Sequence, residues 1–516
     1  MTTRLAPAPA RPAANRLAWG GCRLQRSVLV LSFSAAAWPG APLFAHTASS
    51  TAPSKGPASA TPPATVLRPQ TVAPLPGALD GVLMVNDNNP ELITAPGVLL
   101  STFPSTGRSH PEAHLDVPLN GRFDLFSHHV YAGKPESAES TLWIAVVAQP
   151  RTPKPVTLKV LGGSTALSQS VDGLEAGAPF LPLPQLLRQE GQPIYSGPGS
   201  RVATELLLKQ RSAVIPESWT LAPGEPTALL VLPIPVRGLD PLLNGRNLQL
   251  RLDSSGPISL AILAAFGDTS QPPNQPPSLA VWQQILNGDL SPKEHPPSPQ
   301  GSSGPIVYSR VSGVQVGSSW RGQLTDPGQS SLSVSRAPIS WPISSLERGS
   351  LGTGQVQTAA LQASYPGTAW AAHGNYGVEY NLSLPLKNDT AKPVVLQLAL
   401  ESPLKTNLPL GGLRFNGTPS KAVMFRGSVE VAGLDNDQGQ RSGRQTFHLV
   451  QRSGEQGPVL GTISLAPGAQ RLVQVRLIYP ADATPPQVLS LLPVPGPGAA
   501  GAPVKQSPAP QASRQP

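Results

Sequence analysis

The chain has 516 residues, of which only 13% are charged and 5% aromatic, with a single cysteine and a formal net charge of +9. Its length exceeds one ordinary domain, and so little charge excludes a charge-rich disordered protein. The 49 glycines and 63 prolines are too many for a helical protein and suit short strands joined by turns.

The positive charge lies at the ends. Arg4, Arg11, Arg16, Arg23, Arg26, Lys55 and Arg68 precede the first acid, Asp80, and Lys505 and Arg514 follow the last, Asp482. Those nine leave 29 of the 38 cations facing 29 acids in the central region. A nucleic-acid surface needs Lys and Arg clustered on the folded part, so no nucleic-acid partner is expected.

In chain order, residues 1–45 read as a signal peptide. A basic, acid-free leader precedes the apolar run Val28 to Trp38, which Pro39 and Gly40 break. The run is too short to span a bilayer, which needs ~20 residues, and Leu43-Phe44-Ala45 offers a cleavage site. Cleavage removes Cys22 and leaves a mature chain with no disulfide, no thiolate ligand and no transmembrane span. The expected location is the periplasm, the cell envelope or the exterior.

Residues 46–72 are Ala/Pro/Ser/Thr-rich and read as a disordered spacer. A first folded block is expected over 73–268, a Pro-rich linker with one short helix (Ser278 at its start, Gly288 at its end) over 269–305, and a second block over 306–492. The tail, 493–516, is too rich in Pro and Ala to fold.

The two blocks share phrases. "LWIAVVAQPRTPKPVTLKVL" places Val156, Leu158 and Val160 on one strand face, and "YNLSLPLKNDTAKPVVLQLAL" does so with Leu382, Leu384, Leu386, then Val394, Leu396 and Leu398. "WTLAPGEPTALLVLPIP" matches "ISLAPGAQRLVQVRLIYP". The offset is 238 residues at the first pair and 244 at the second. The expected fold is all-β: two related antiparallel β-sandwich, immunoglobulin-like blocks between disordered ends.

Several long phrases, among them "LPGALDGVLMVNDNNPELITAPGVLLSTFP", "AHLDVPLNGRFDLFSHHV" and "YPGTAWAAHGNYGVEYNLSLPLKND", resemble an uncharacterised family of exported cyanobacterial proteins known only as a domain of unknown function. The resemblance runs over roughly residues 75–479. It implies export and a shared fold, and carries no activity or site residues.

The chemistry-bearing residues concentrate in "SHPEAHLDVPLNGRFDLFSHHV", with His110, His114, His128, His129, Glu112, Asp116 and Asp124. Pro111 stands where a zinc-protease helix needs Glu, which excludes that motif. On a strand, Ser127 and His129 share one face and His128 takes the other, so the adjacent histidines point apart. A metal shared by His114 and either of them would require a hairpin at Asn120–Arg122. Hydrogen-bonded strand histidines are the simpler expectation.

No nucleophile elbow, phosphate loop or dinucleotide fingerprint occurs. "GPGSR" (Gly197 to Arg201) and "LGTG" (Leu351 to Gly354) read as structural turns. A glycosidase pair leaves no local signature, and its candidates would include Asp116, Asp124 and Glu379. Tyr365 to Tyr380 groups three tyrosines, Trp370 and His373 in a glycine-punctuated loop, either a recognition surface or a connection packed over a sheet edge. No catalytic, cofactor or metal residue is assigned, and no cofactor is expected. The reading is a non-enzymatic envelope or periplasmic binding or structural module whose partner is an envelope polymer or another envelope protein. An exported polysaccharide hydrolase is the alternative, and a metal-binding module the third.

Overall fold

The computed structural model describes residues 64–133, 141–169, 181–182, 195–267, 275–418 and 420–494. The segment read as a signal peptide, most of the expected spacer and the tail beyond Val494 lie outside the described residues.

Strand sequences dictate the layers. In Glu379–Lys387, Leu382, Leu384 and Leu386 are fully buried while Asn381 and Lys387 face out. Val156, Leu158 and Val160 likewise turn inward from Val156–Leu167. This period-two burial is what packing one sheet on another requires. The fold is all-β, with largely antiparallel sheets and two short helices among the described residues.

In the second half a seven-stranded sheet runs in the order Arg444–Arg452, Val423–Ala432, Gln470–Ile478, Glu379–Lys387, Ser319–Gln323 and Ala78–Leu79, with Leu332–Ser333 joined to Glu379–Lys387. A five-stranded sheet runs in the order Thr71–Val72, Ile339–Ile343, Gln487–Pro493, Val394–Glu401 and Val459–Leu465. Leu382, Leu384 and Val475 of the first pack with Leu396, Leu398 and Leu489 of the second in one core.

The first half repeats this plan. Ser218–Leu221, Val156–Leu167, Leu243–Phe266 and Leu119–Ala132 lie side by side in the same order as Val459–Leu465, Val394–Glu401, Gln487–Pro493 and Ile339–Ile343. Thr227–Pro235 pairs with Thr141–Pro150, as Gln470–Ile478 pairs with Glu379–Lys387. The register itself recurs. Val156 opposes Leu221, and offsets of 238 and 244 residues carry that pair onto Val394 opposite Leu465. Ala148 opposite Thr227 becomes Leu386 opposite Arg471 in the same way.

The first half differs in how its layers join. Leu243–Phe266 pairs through its first part with Leu119–Ala132 and Val156–Leu167, then through Ile258–Phe266 with Thr141–Pro150. The register breaks between Ser254 and Ile258, at Ser-Ser-Gly-Pro, where the strand turns from one layer into the other. Opposite this break, Gly121 has φ +63° and Asn120–Arg122 forms an irregularity within the continuous strand Leu119–Ala132. The Asn-Gly hairpin therefore does not form, because the long strand spans both sides of it.

Three other expectations change. Residues 64–72 do not all belong to a spacer: Thr65–Pro69 pairs with Gly412–Asn416, and Thr71–Val72 with Ile339–Ser340. The stretch 275–305 packs on the first half, with Trp282 of the helix Leu279–Leu286 in a core beside Val147 and Ala261. Ser278 occupies the N-cap, but its side chain makes no capping bond. "GPGSR" opens the helix Pro198–Leu207; Pro198 suits its first turn, and Asp482, distant in sequence, accepts from the Ser200 amide at 2.6 Å. The halves interlace: Ser312–Val316 pairs with Leu83–Asp87 in the first-half sheet, and Ala78–Leu79 pairs in the second. The described residues belong to one compact unit.

The N-terminal strand is anchored by charge. Arg68 holds both oxygens of Glu401, which is 1% exposed and otherwise bonded to Ser490. Arg68→Ala leaves that carboxylate buried without a cation and should lower stability by roughly 2–4 kcal/mol. The double variant Arg68→Ala/Glu401→Gln should recover most of it. Urea unfolding of the three proteins checks this, and equal midpoints for Arg68→Ala and the parent would refute it.

Candidate functional site

The strand Leu119–Ala132 sends its histidines to opposite faces. His129 is fully buried; Nδ1 meets the Pro90 carbonyl at 2.7 Å and Nε2 meets Asp87 Oδ2 at 2.7 Å. The carbonyl only accepts, so Nδ1 carries a proton, and the Asp87 contact holds one more between imidazole and carboxylate. Ser127, on the same face, also donates to Asp87 at 3.2 Å. On the other face His128 Nδ1 lies 3.1 Å from Asn247 Oδ1, and Nε2 lies 3.7 Å from Glu91. Burial lowers its pKa.

His114 follows the short turn Pro111–Ala113 and pairs through Nδ1 with Ser101 at 2.7 Å, its Nε2 buried and unpartnered. Burial, then the charges of Arg108 and His110, push it down to about 4 against the smaller pull of Glu112. His114, His128 and His129 thus engage separate partners. Among the described residues, the ligand atoms that do converge are those of His110, Glu112 and Asp289, all within 4.8 Å of one another. Their side chains are 36%, 63% and 74% exposed, so water solvates them and a cation there would keep much of its hydration. Asp289 follows the 279–286 helix in a segment with no sequence signal linking it to His110.

The three carboxylates weighed for glycoside chemistry have arginine partners. Asp116, at φ +52°, binds Arg151 at 2.8 Å. Asp124 binds Arg122 and lies opposite Arg251. Burial raises the Asp124 carboxyl against the opposing pull of Arg122 and Arg251. Glu379 binds Arg251 at 2.7 Å and Arg476 at 2.9 Å. Burial alone would raise Glu379, but the two guanidiniums outweigh it and hold the carboxyl below its usual range. Arg476 continues to Glu430 at 2.8 Å, making a chain of charges that joins the halves.

The side chains of the loop from Tyr365 to Tyr380 divide between the interior and the surface. Its tyrosines are interior struts: Tyr365 donates to the Ala113 carbonyl, Tyr376 to Ala483, and Tyr380 to Gln357. Trp370 and His373 instead line a surface cleft with Tyr308, Val307, Leu346 and Val356. Trp370 is half-buried, its Nε1 donating to the Ser298 carbonyl at 3.0 Å. His373 is half-buried with Nδ1 unpartnered. Burial, then the charges of Arg310 and Lys405, hold its pKa well below the usual histidine range, so the ring is neutral. The opposing wall, from Pro297 to Ser309, could not be paired with this loop from sequence.

No helix among the described residues is long and apolar enough to cross a membrane. The family model described as a protein of unknown function, DUF3370, matches residues 70–493. No curated protein matches the chain.

The depressed histidines set a pH dependence. Unfolded, His114 and His128 take up protons near pH 6.5; folded, they do so only at lower pH. Their contribution is complete above the unfolded value and is lost as pH falls toward the folded one, about 4 for His114. The melting temperature should fall between pH 7.5 and 5, and His114→Gln/His128→Gln should flatten that slope. Calorimetry across the range checks it; an unchanged slope would refute the assignment.

Proposed function

Since the chain belongs to the DUF3370 family, whose description assigns no activity, we propose that it is an exported, non-enzymatic module of the periplasm or cell envelope that binds or braces an envelope polymer or another envelope protein. One observation carries the non-enzymatic part: the three carboxylates weighed for glycoside chemistry are tied to arginines. A glycosidase pair needs one carboxyl held protonated and another free to face the same sugar. Two guanidiniums keep Glu379 ionised, Asp124 is 1% exposed, and Asp116 is tied to Arg151. The basic leader, apolar run and small-residue site before His46 support export. The converging His110, Glu112 and Asp289 favour a metal-binding reading as a second choice.

Cells expressing the full chain with a C-terminal tag should yield protein in the periplasmic or envelope fraction, with an N-terminus near His46. Intact Met1 in the cytosol would end the export reading. Release of reducing ends from a polysaccharide panel would end the non-enzymatic one. Zinc or copper retained at one ion per chain, and lost in His110→Ala, would move the assignment to metal binding.

A further inference from the structure

One connection is built differently in the two copies of the strand plan. Between Val394–Glu401 and Val459–Leu465 the second copy carries the strands Gly412–Asn416, Val423–Ala432 and Arg444–Arg452; between Val156–Leu167 and Ser218–Leu221 the first carries the helix Pro198–Leu207. Lys209, at φ +59°, turns the chain back after this helix, and the Gln210 amide donates to the Glu205 carbonyl at 2.7 Å. Arg211 and Ser212 then follow the edge of Val156–Leu167: Arg211 bridges to Gly163, and the Ser212 amide donates to the Gly163 carbonyl at 3.1 Å. Helix and returning chain together line an open groove of about 540 Å³. Arg201 and Glu205 come from the helix, Gln210, Arg211 and Ser212 from the returning chain, and Thr165 from the strand.

We propose that this groove binds a tetrahedral oxyanion, a phosphate or sulfate group, an assignment that stands whether or not the chain is an envelope module. Charge is the first argument. Two guanidiniums and one carboxylate line the groove. Both oxygens of that carboxylate are engaged, Glu205 accepting from Arg201 Nε at 2.9 Å and from the Ser164 hydroxyl. Arg211 pairs at 3.2 Å with Glu217, which is 86% exposed, and a pair so open to water holds its cation weakly. Exposed Lys209 adds a further positive charge at the turn.

The second argument lies just behind the groove. Arg246 is only 9% exposed; it donates to the Pro233 carbonyl at 2.7 Å and to the Thr165 hydroxyl at 3.0 Å, and pairs with no carboxylate among the described residues. Burial pulls its pKa down to about 10. A buried cation without a counter-ion is costly, and Thr165 sets this one a single side chain away from the groove. An anion bound there supplies the missing charge.

The third argument is the direction of the donors. A guanidinium offers a planar fork of N–H groups, and here one reaches the groove from the helix and another from the returning chain. The Ser212 hydroxyl has only long outgoing contacts, at 3.4 Å to Ser164 and to the Thr165 carbonyl, and can turn to a ligand. A flat carboxylate satisfies one fork. Phosphate and sulfate carry enough oxygens to meet both forks and the hydroxyl at once.

Calorimetry on the purified chain at low ionic strength tests this. Phosphate and sulfate should saturate, and acetate should bind far more weakly. Glycerol 3-phosphate and dimethyl phosphate distinguish the sources: the first stands for a terminal monoester, the second for a diester within a polymer, and binding of either supports the site. Arg211→Gln, an exposed change, should weaken phosphate by about tenfold without altering the melting temperature in phosphate-free buffer. Glu217→Gln removes the competitor for Arg211 and should tighten phosphate by about two- to threefold, which a merely structural arginine would not show. Saturation by neither phosphate nor sulfate, acetate binding equally well, or unchanged affinity in Arg211→Gln would overturn the inference.

Discussion

Two layers of branched aliphatic side chains must cover each other, and nothing covalent helps them. The one cysteine, Cys22, precedes every described residue, so no disulfide ties the layers and burial must press them together. Each fully buried leucine contributes about 1.5–3 kcal/mol, and Leu382, Leu384 and Leu386 meet Leu396, Leu398 and Leu400 in one cluster. Burial of this kind fixes register as well as stability. A slip of one residue would turn a whole leucine row to solvent, which explains why the two copies keep equivalent pairs, Val156 with Leu221 and Val394 with Leu465, despite different connections.

Apolar faces alone would allow the halves to slide against one another. Arg251 on the long first-half strand reaches Glu379 of the second half, which Arg476 links to Glu430. Gln249, two residues from Arg251, donates to the Gly377 carbonyl at 2.7 Å. Burying ions gives little net stability, but it penalises every arrangement that separates them. The helix Pro198–Leu207 adds a directional contact at the same seam: Thr204 meets Ser428 at 2.7 Å, and Gly199 passes so close to Ala481 that a Cβ there would lie 2.6 Å from the alanine methyl. Carboxylates employed as cross-links in this way are poor candidates for chemistry.

What the sequence revealed follows the same division. Alternation is a local signal, so the strands around Leu158, Leu384 and Leu398 were legible, as was the repeat of their phrases. The opposite orientations of His128 and His129 followed from strand geometry. The helix at Pro198 was not legible, since its N-terminal acceptor is Asp482, 282 residues away. Asn120–Arg122 carried a hairpin signal that the long strand opposite it overrode. The packing of Trp282, and the strand pairing of Thr65–Pro69 with Gly412–Asn416, depend on surfaces assembled from remote segments. Half of the cleft was visible as an aromatic loop; its facing wall was not.

Duplication also separates scaffold from embellishment. Residues that recur at equivalent positions in both halves answer to packing, since each copy needs them to close its sheets. Residues in only one copy are free of that demand, and loops held by a rigid sheet are where recognition groups can be placed without loss of stability. The 344–378 connection meets this condition and is internally braced: Gln357 bonds to Pro342 and Tyr380, and Asn375 to Gln357 and Tyr380. Those buried bonds secure the loop from beneath, so the exposure of Val356 is not the consequence of a loosely packed segment. It belongs to a surface that the interior holds in position.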